Sequence, residues 1–432
     1  MSEFVAFILQ IDIFRYISLA LCLFFLHLLI LRNVVFNIFD PLVVFCLFNS
    51  LAISVVGELD LSEGRTDRLL YLLFFSAFFL WGITRFNLDG KKEELFYLCK
   101  TCLSGTSFFY SVLFWLLFIS SSIFWCVRGI PIFSDNPSDA KVLLYQGGFG
   151  IVRYIQTIVP PLICFYAIFQ LCFSDKPNNL YDRICLCSYI IFSCFVGVLS
   201  GAKSSLIFLV YIFSYVMWFT PIQSNLYRKM RRTVILLLGL IVVISIYVLF
   251  LSNADGDPSK VFVSFAVRLA AGGDAYFLWF NYNLDQTLSR FDIVDFLKYL
   301  ANPMLSMLGL VEPDYPLGAI VLNESVGFPL SSFGPNSSLP IVSSYFASGG
   351  EFFLAAFFGV LMGWCRIYAL HFLRRWGGGG AGLGVFLWMS STSIFIDVNY
   401  FAAQLTAFLF VILPVYIVIR LFRQCFTVKV VR

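Results

Sequence analysis

The chain has 432 residues, of which 60% are hydrophobic and only 12% charged, with 52 Phe among the 19% that are aromatic. A soluble domain carries about 45–50% apolar and about 25% charged residues, so this composition excludes a water-soluble globule and describes a polytopic membrane protein. The net charge of +4 is dispersed in short basic clusters between apolar runs, which excludes the concentrated basic face that nucleic-acid binding needs.

At the N-terminus, Glu3, Asp12 and Arg15 accompany the first apolar run, and no small-residue cleavage site follows it. The segment reads as a retained anchor, not a removable signal peptide. A membrane-crossing helix needs about 20 mainly apolar residues. Runs of that kind lie at 13–31, 39–56, 69–84, 103–126, 150–173, 184–200, 203–220, 233–251, 341–365, 378–398 and 401–420. The expectation is a single all-α domain over 1–432 with about 11 transmembrane helices, within a range of 10–12. An N-terminal helix lying in the membrane interface would change that count without moving the other loops.

Lys and Arg in short loops set the orientation. Arg32, the group 85–100, Lys176 with Arg183, the run 228–232, Arg366 with Arg374 and Arg375, and the basic tail account for 18 of 29 basic residues. They alternate with the spans and are assigned to the cytoplasm. The opposite side then holds 57–68, the loop 127–149 and the long loop 252–340, which has nine acids against four bases and is expected to contain short helices. An odd number of spans leaves the N-terminus on that outer side.

Several chemistries are disfavoured outright. The twelve Cys fall mostly within apolar runs or beside basic loops, and none lies between Ala254 and Pro340. A disulfide framework is therefore not expected, and Cys99 with Cys102 lacks the second pair or His of a metal site. His27 and His371 are the two His, neither on the outer side. That disfavours an external zinc site and an external Ser-His-Asp centre. The glycine run Gly377–Gly380 reads as a flexible cytoplasmic turn, because no G-x-x-x-x-G-K-[ST] pattern accompanies it. No metal or other cofactor is expected.

Polar residues gather on the outer side in a few places. The first loop runs from Arg128-Gly-Ile-Pro-Ile-Phe-Ser through Lys141 to Arg153 at the mouth of the next span. Arg128 and Arg153 either snorkel from helix ends or face a polar cavity. The turn Ser200-Gly-Ala-Lys203-Ser-Ser places a Lys between two spans, where it either caps the turn or reaches an anion. In Arg268-Leu-Ala-Ala-Gly-Gly-Asp274-Ala-Tyr276, two glycines interrupt a helix beside an Arg and an Asp. Such a break either turns backbone donors toward an anionic group or merely bends an interfacial helix. Gly334-Pro-Asn336-Ser-Ser is a helix-start signal. Glu351 within the span 341–365, and Asp397 near the outer end of 378–398, are ionisable groups at membrane depth and so candidate site residues. With no outer His, an external general base must be a carboxylate: Asp274, Glu351 or Asp397.

Taken together, the Phe-rich multi-span layout, the Arg128-Gly-Ile-Pro-Ile-Phe-Ser loop, the Ser200-Gly-Ala-Lys203-Ser-Ser turn, the Arg268…Asp274…Tyr276 stretch and the Gly334-Pro-Asn…Gly349-Gly350 approach resemble the Wzy group of O-antigen and exopolysaccharide repeat-unit polymerases. The resemblance runs from about residue 100 onward in short, degenerate motifs. One feature departs from it: some members carry R-x10-G patterns in two external loops, and none of Arg128, Arg153, Arg268 or Arg290 has Gly eleven positions on.

The resemblance implies a GT-C-like fold in the bacterial inner membrane with the active site facing the periplasm. Its substrate would be undecaprenyl-diphosphate-linked oligosaccharide, and its partners the membrane lipid and a Wzz-type co-polymerase that sets chain length. Fixed cations can neutralise the diphosphate leaving group without a metal. Arg128, Lys203 and Arg268 are the expected diphosphate ligands, supported by Lys141 and Arg153. Asp274 is the first choice of base, with Glu351 and Asp397 behind it. Tyr276, Tyr345 and Asn336 would line the sugar path. The rivals are an O-antigen ligase, disfavoured by the lack of external His, and a flippase or transporter, for which no internal repeat is visible.

Overall fold

The computed structural model describes residues 2–86, 103, 106–134, 140, 144, 150–174, 179–200, 207–218, 220–221, 223–252, 270–330 and 334–430. Helices form nearly all of this; the described residues contain no β-strand beyond one isolated antiparallel bridge, Phe291 with Ala347. In chain order the helices are α1 (Ser2–Gln10), α2 (Ile13–Leu31), α3 (Pro41–Glu63), α4 (Asp67–Thr84), α5 (Ser107–Arg128), α6 (Gly150–Phe173), α7 (Leu180–Leu199), α8 (Ile207–Trp218) and α9 (Asn225–Ser252). They continue as α10 (Asp274–Asn281), α11 (Leu284–Thr287), α12 (Ile293–Met307), α13 (Leu317–Val326), α14 (Leu339–Phe346), α15 (Glu351–Ser390), α16 (Ser393–Ile396), α17 (Val398–Ala407) and α18 (Leu413–Val430).

Local chemistry explains where several begin. The Asp12 carboxylate accepts from the Phe14 and Arg15 N–H groups ahead of α2. Asp40 caps α3 by accepting from Leu42 N–H, and Pro41 follows at the first helical position. Both are the acceptors that orphaned first-turn donors require. Asp292 does the same for α12 through Asp295 N–H.

Among the described residues, seven helices are long and apolar enough to cross a membrane: Ile13–Leu31, Pro41–Glu63, Asp67–Thr84, Ser107–Phe133, Gly150–Phe173, Leu180–Leu199 and Val398–Phe422. This establishes a polytopic helical architecture. Elsewhere the helices depart from the expected spans. The expected span 203–220 contains the 12-residue α8. The expected span 341–365 is not one helix, because α14 ends at Phe346 and α15 starts at Glu351. Between them Ala347 pairs with Phe291, and Gly349 takes φ 85. The expected cytoplasmic turn at Gly377–Gly380 is corrected: the backbone stays helical through Glu351–Ser390. In an apolar environment intrahelical hydrogen bonds are the way left to satisfy the backbone, which overrides the poor helix propensity of glycine.

The chain sorts into two compact units, residues 1–89, 249–367 and 390–403 in one, and 90–248, 368–389 and 404–432 in the other. In the first, α3 is buried along most of its length between α2, α4 and α10. Its aromatic centre joins Phe45, Phe79 and Phe395, with ring centroids 4.7 Å apart for Phe79–Phe395 and 5.1 Å for Phe45–Phe395. On α4 and α15, Gly82 and Gly359 meet backbone to backbone; a Cβ on Gly359 would collide with the Phe79 carbonyl. Small residues permit such approach between membrane helices. In the second unit, Tyr110 stacks on Tyr166 at 4.2 Å and Tyr189 shares a 2.8 Å hydrogen bond with Ser111, tying α5, α6 and α7 together.

Candidate functional site

Four contacts draw distant pieces of the first unit to one of its ends. The Tyr282 hydroxyl donates to the Glu3 carboxylate. Phe4 and Phe7 of α1 pack on Phe277, at 5.4 and 4.9 Å between centroids. Arg68 donates to Asn283 Oδ1 at 3.2 Å. The Tyr71 hydroxyl donates to the Pro340 carbonyl at 3.3 Å. These contacts bring together α1, the α3–α4 turn, α10 with the turn after it, and the start of α14.

Asp274 opens α10 beside the middle of α3. Its position is fixed by Gly273, where a Cβ would come within 2.7 Å of Val55 Cγ2 and 3.1 Å of the Ala52 carbonyl. Only a residue without a side chain lets this turn lie so close to α3. The Asp274 carboxyl is half-buried and accepts from Ala275 N–H at 2.7 Å. Backbone donors pull its pKa down, but burial dominates and pushes it up to about 6.

The turn between α3 and α4 carries a buried ionic cluster. Arg68, only 3% exposed, donates Nη1 to Glu63 Oε2 at 2.8 Å and has Asp60 Oδ1 at 4.0 Å. Asp60, 1% exposed, accepts from Leu69 N–H at 2.8 Å through Oδ2. Asp285 is half-buried; burial raises its carboxyl, with Arg68 the first influence opposing that. Asp60 Oδ1, Arg68 Nε and Asp285 Oδ1 have no hydrogen-bond partner. Tyr71 stands within electrostatic reach of Glu351, Tyr276 and Asp285, so the cluster continues toward two residues expected from sequence.

Of the expected site residues, Asp274, Tyr276, Asn336, Tyr345, Glu351 and Asp397 belong to the first unit, and Arg128 and Arg153 to the second. Lys141, Lys203 and Arg268 lie outside the described residues. Glu351 is half-buried and is the first residue of α15. Its expected position inside a continuous span is corrected, because the chain breaks just before it. Asp397 sits in the break between α16 and α17, where its Oδ1 accepts from Tyr400 N–H at 3.0 Å as a helix cap. Tyr276 is buried, as the packing alternative requires, and offers no free face to a sugar. Tyr345 is half-buried, 6.4 Å from Trp279 between centroids, with the Arg290 guanidinium 5.1 Å over its ring. Asn336 is exposed, Arg128 ends α5 exposed, and Arg153 is exposed in the first turn of α6.

Sequence reasoning did not single out Arg68, Asp60, Asp285 or Arg290. The signal for the first two was present in Asp60…Glu63…Arg65…Asp67-Arg68, a dense run of mixed charge between two apolar spans. Among the described residues no group of three or more His, Cys, Asp or Glu converges to hold a metal ion. A carboxyl titrating near 6 is ionised at neutral pH yet more basic than an ordinary Asp, which suits general-base work. No protein-family model, curated protein or solved structure matches the chain.

Proposed function

We propose that the protein polymerises undecaprenyl-diphosphate-linked oligosaccharide repeat units at the periplasmic face of the bacterial inner membrane, as a Wzy-type glycosyltransferase. The observation that carries this reading is Asp274: a carboxyl of raised basicity, half-buried at the start of α10, where Gly273 holds it against α3.

In the reaction, an acceptor sugar hydroxyl attacks the anomeric carbon of the donor chain. The bond from that carbon to the lipid diphosphate breaks, and its electron pair leaves on the diphosphate oxygen. Asp274 takes the hydroxyl proton. Arg268, six residues before Asp274 in the chain, neutralises the departing charge, so the chemistry needs no metal. Tyr345 and Asn336 offer the more accessible positions for sugar contacts. Tyr276 supports the turn from within, and a Wzz-type co-polymerase sets chain length. Asp274 is placed ahead of Asp397 and Glu351 because it follows Gly273, where a Cβ would strike Val55 of α3, and because burial raises its carboxyl to about 6.

One feature favours a second reading, a lipid-linked-sugar flippase. Ser50, Ser54 and Glu58 recur every four residues on α3, all buried, with His27 3.2 Å from Ser50 and Arg15 2.6 Å from Glu58 on α2. A polar row inside a membrane segment is a candidate transport feature.

The test is the surface-polysaccharide ladder of a deletion strain complemented with wild type or with Asp274→Asn at equal expression. Core plus one repeat unit in the deletion and in Asp274→Asn supports the polymerase. Polymer accumulating on the lipid carrier with none on lipid-A core would mean a ligase. Loss of every repeat unit, single or polymerised, from both the core and the outer face would mean the flippase, and a ladder unchanged by deletion would sink all three readings.

A further inference from the structure

Helix α12 has apolar residues on two faces, and only one of them is covered. Phe296, Tyr299 and Pro303 point inward: Phe296 lies 5.8 Å from Phe346 and 6.0 Å from Phe358, and Tyr299 lies 5.3 Å from Phe346. On the opposite arc, Ile293, Val294, Leu297, Met304 and Leu308 are exposed, Leu297 by 58%. At 100° per residue these five fall within about a quarter to a third of the helix circumference. Between the two apolar arcs runs a polar edge, where Lys298 Nζ meets Asp295 Oδ1 at 2.9 Å and Arg290 reaches Asp295 Oδ2 at 3.3 Å.

We infer that α12 lies flat in the membrane interface, with its uncovered arc in the acyl chains of the leaflet on the Arg68–Asn283 side and the Arg290–Asp295–Lys298 edge at the water boundary. Continuity selects lipid over a protein partner. The Phe358 that packs on α12 belongs to the opening turns of α15, whose Phe353, Phe357, Val360 and Trp364 form an exposed apolar stripe at helical spacing. That stripe and the α12 arc flank one covered seam in a chain whose described residues include seven helices long and apolar enough to cross a membrane. A three-faced helix of this kind, 15 residues and about 22 Å long, is the form that interfacial anchors take. Charge does not drive the attachment, because residues 290–314 hold two bases against four acids. Burial of apolar area does, so the depth of α12 is independent of anionic lipid. This inference does not depend on the polymerase reading.

The experiment places a nitroxide, through p-acetylphenylalanine, singly at Leu297, Met304, Leu308 and Lys298 of the full chain in phosphatidylcholine/phosphatidylglycerol nanodiscs. All four positions are exposed, so the labels fit without repacking, and gel filtration checks each variant. The expected result is an oxygen-to-nickel-complex collision ratio severalfold higher at 297, 304 and 308 than at 298, unchanged in pure phosphatidylcholine. A nickel complex that reaches 297 and 304 as freely as 298 would put the arc in water and overturn the inference. Exclusion of both reagents would mean that protein, such as a second copy, covers the arc, and would overturn it equally. A ratio that collapses without phosphatidylglycerol would overturn the apolar mode of attachment.

Discussion

The Arg68 guanidinium donates Nη2 to Asn283 Oδ1 at 3.2 Å across 215 residues of chain, while its Nη1 holds Glu63 at 2.8 Å. This one side chain ties the α3–α4 turn to the turn after α10, the helix that Asp274 opens. A buried Arg supplies a planar fork that can serve two acceptors at once, and the two it serves here come from separate segments of the chain.

Replacing Arg68 by Ala should destabilise the protein by about 3–5 kcal/mol, the usual consequence of stranding a buried charge. Asp60, 1% exposed, would lose its nearest cation. Combining Arg68→Met with Asp60→Asn should recover most of the loss. Thermal unfolding in nanodiscs, followed by Trp fluorescence, measures both. Arg65→Ala, which breaks an exposed pair with Asp67, should leave the midpoint unchanged.

Asn283 combines that hydrogen bond with a left-handed backbone, φ 52 and ψ 34. Asn283→Gly should keep the turn and lose only the bond to Arg68, about 0.5–1.5 kcal/mol. Asn283→Val adds the steric penalty of a branched residue in that region, about 1–2 kcal/mol more. Equal midpoints for the two variants would show that the backbone conformation contributes nothing.

Polymer formation should depend on one ionisation near pH 6. A free Asp loses its proton near pH ~3.9, and burial moves Asp274 up to about 6. The rate should climb with unit slope below that value, where the base is protonated, and level off above it. Stability moves the opposite way. Between about 4 and 6 the folded chain keeps a proton that the unfolded chain has lost, so this group's contribution to stability falls as pH rises through that window. Asp274→Asn should flatten both profiles. A rate profile without an inflection near 6 in the wild type would remove Asp274 as the base.

Gly359→Leu should prevent folding, because even the Cβ collides with the Phe79 carbonyl across the α4–α15 crossing. Gly359→Ala, forcing the helices apart by a smaller amount, should cost about 1–3 kcal/mol. Gly239→Ala in α9, where nothing lies within 4 Å of the added carbon, should fold normally. Detergent-solubilised yield and thermal midpoint separate the three.

Much of the framework was legible in the residues. Apolar runs at 13–31, 150–173 and 401–420 became helices with nearly those limits, because apolar length dictates a membrane-crossing helix with little help from its neighbours. Short helices within the segment 252–340 were likewise expected, and its described residues form α10 to α13. The break before Glu351 was not. Residues 341–365 are apolar enough to suggest one span, and what interrupts them is the pairing of Ala347 with Phe291, 56 positions earlier in the chain.

The candidate site divides in the same manner. Sequence alone singled out Asp274 as an acid beside a glycine pair, since an Asp in an apolar surround stands out by type. It could not weigh how far that acid is buried, which sets its basicity, nor find that Arg68 meets Asn283. Membrane insertion is decided by the summed hydrophobicity of a local window, and so composition determined it. Charge burial, ion pairing and the uncovered arc of α12 depend on which distant segments meet, and only the tertiary structure decided those.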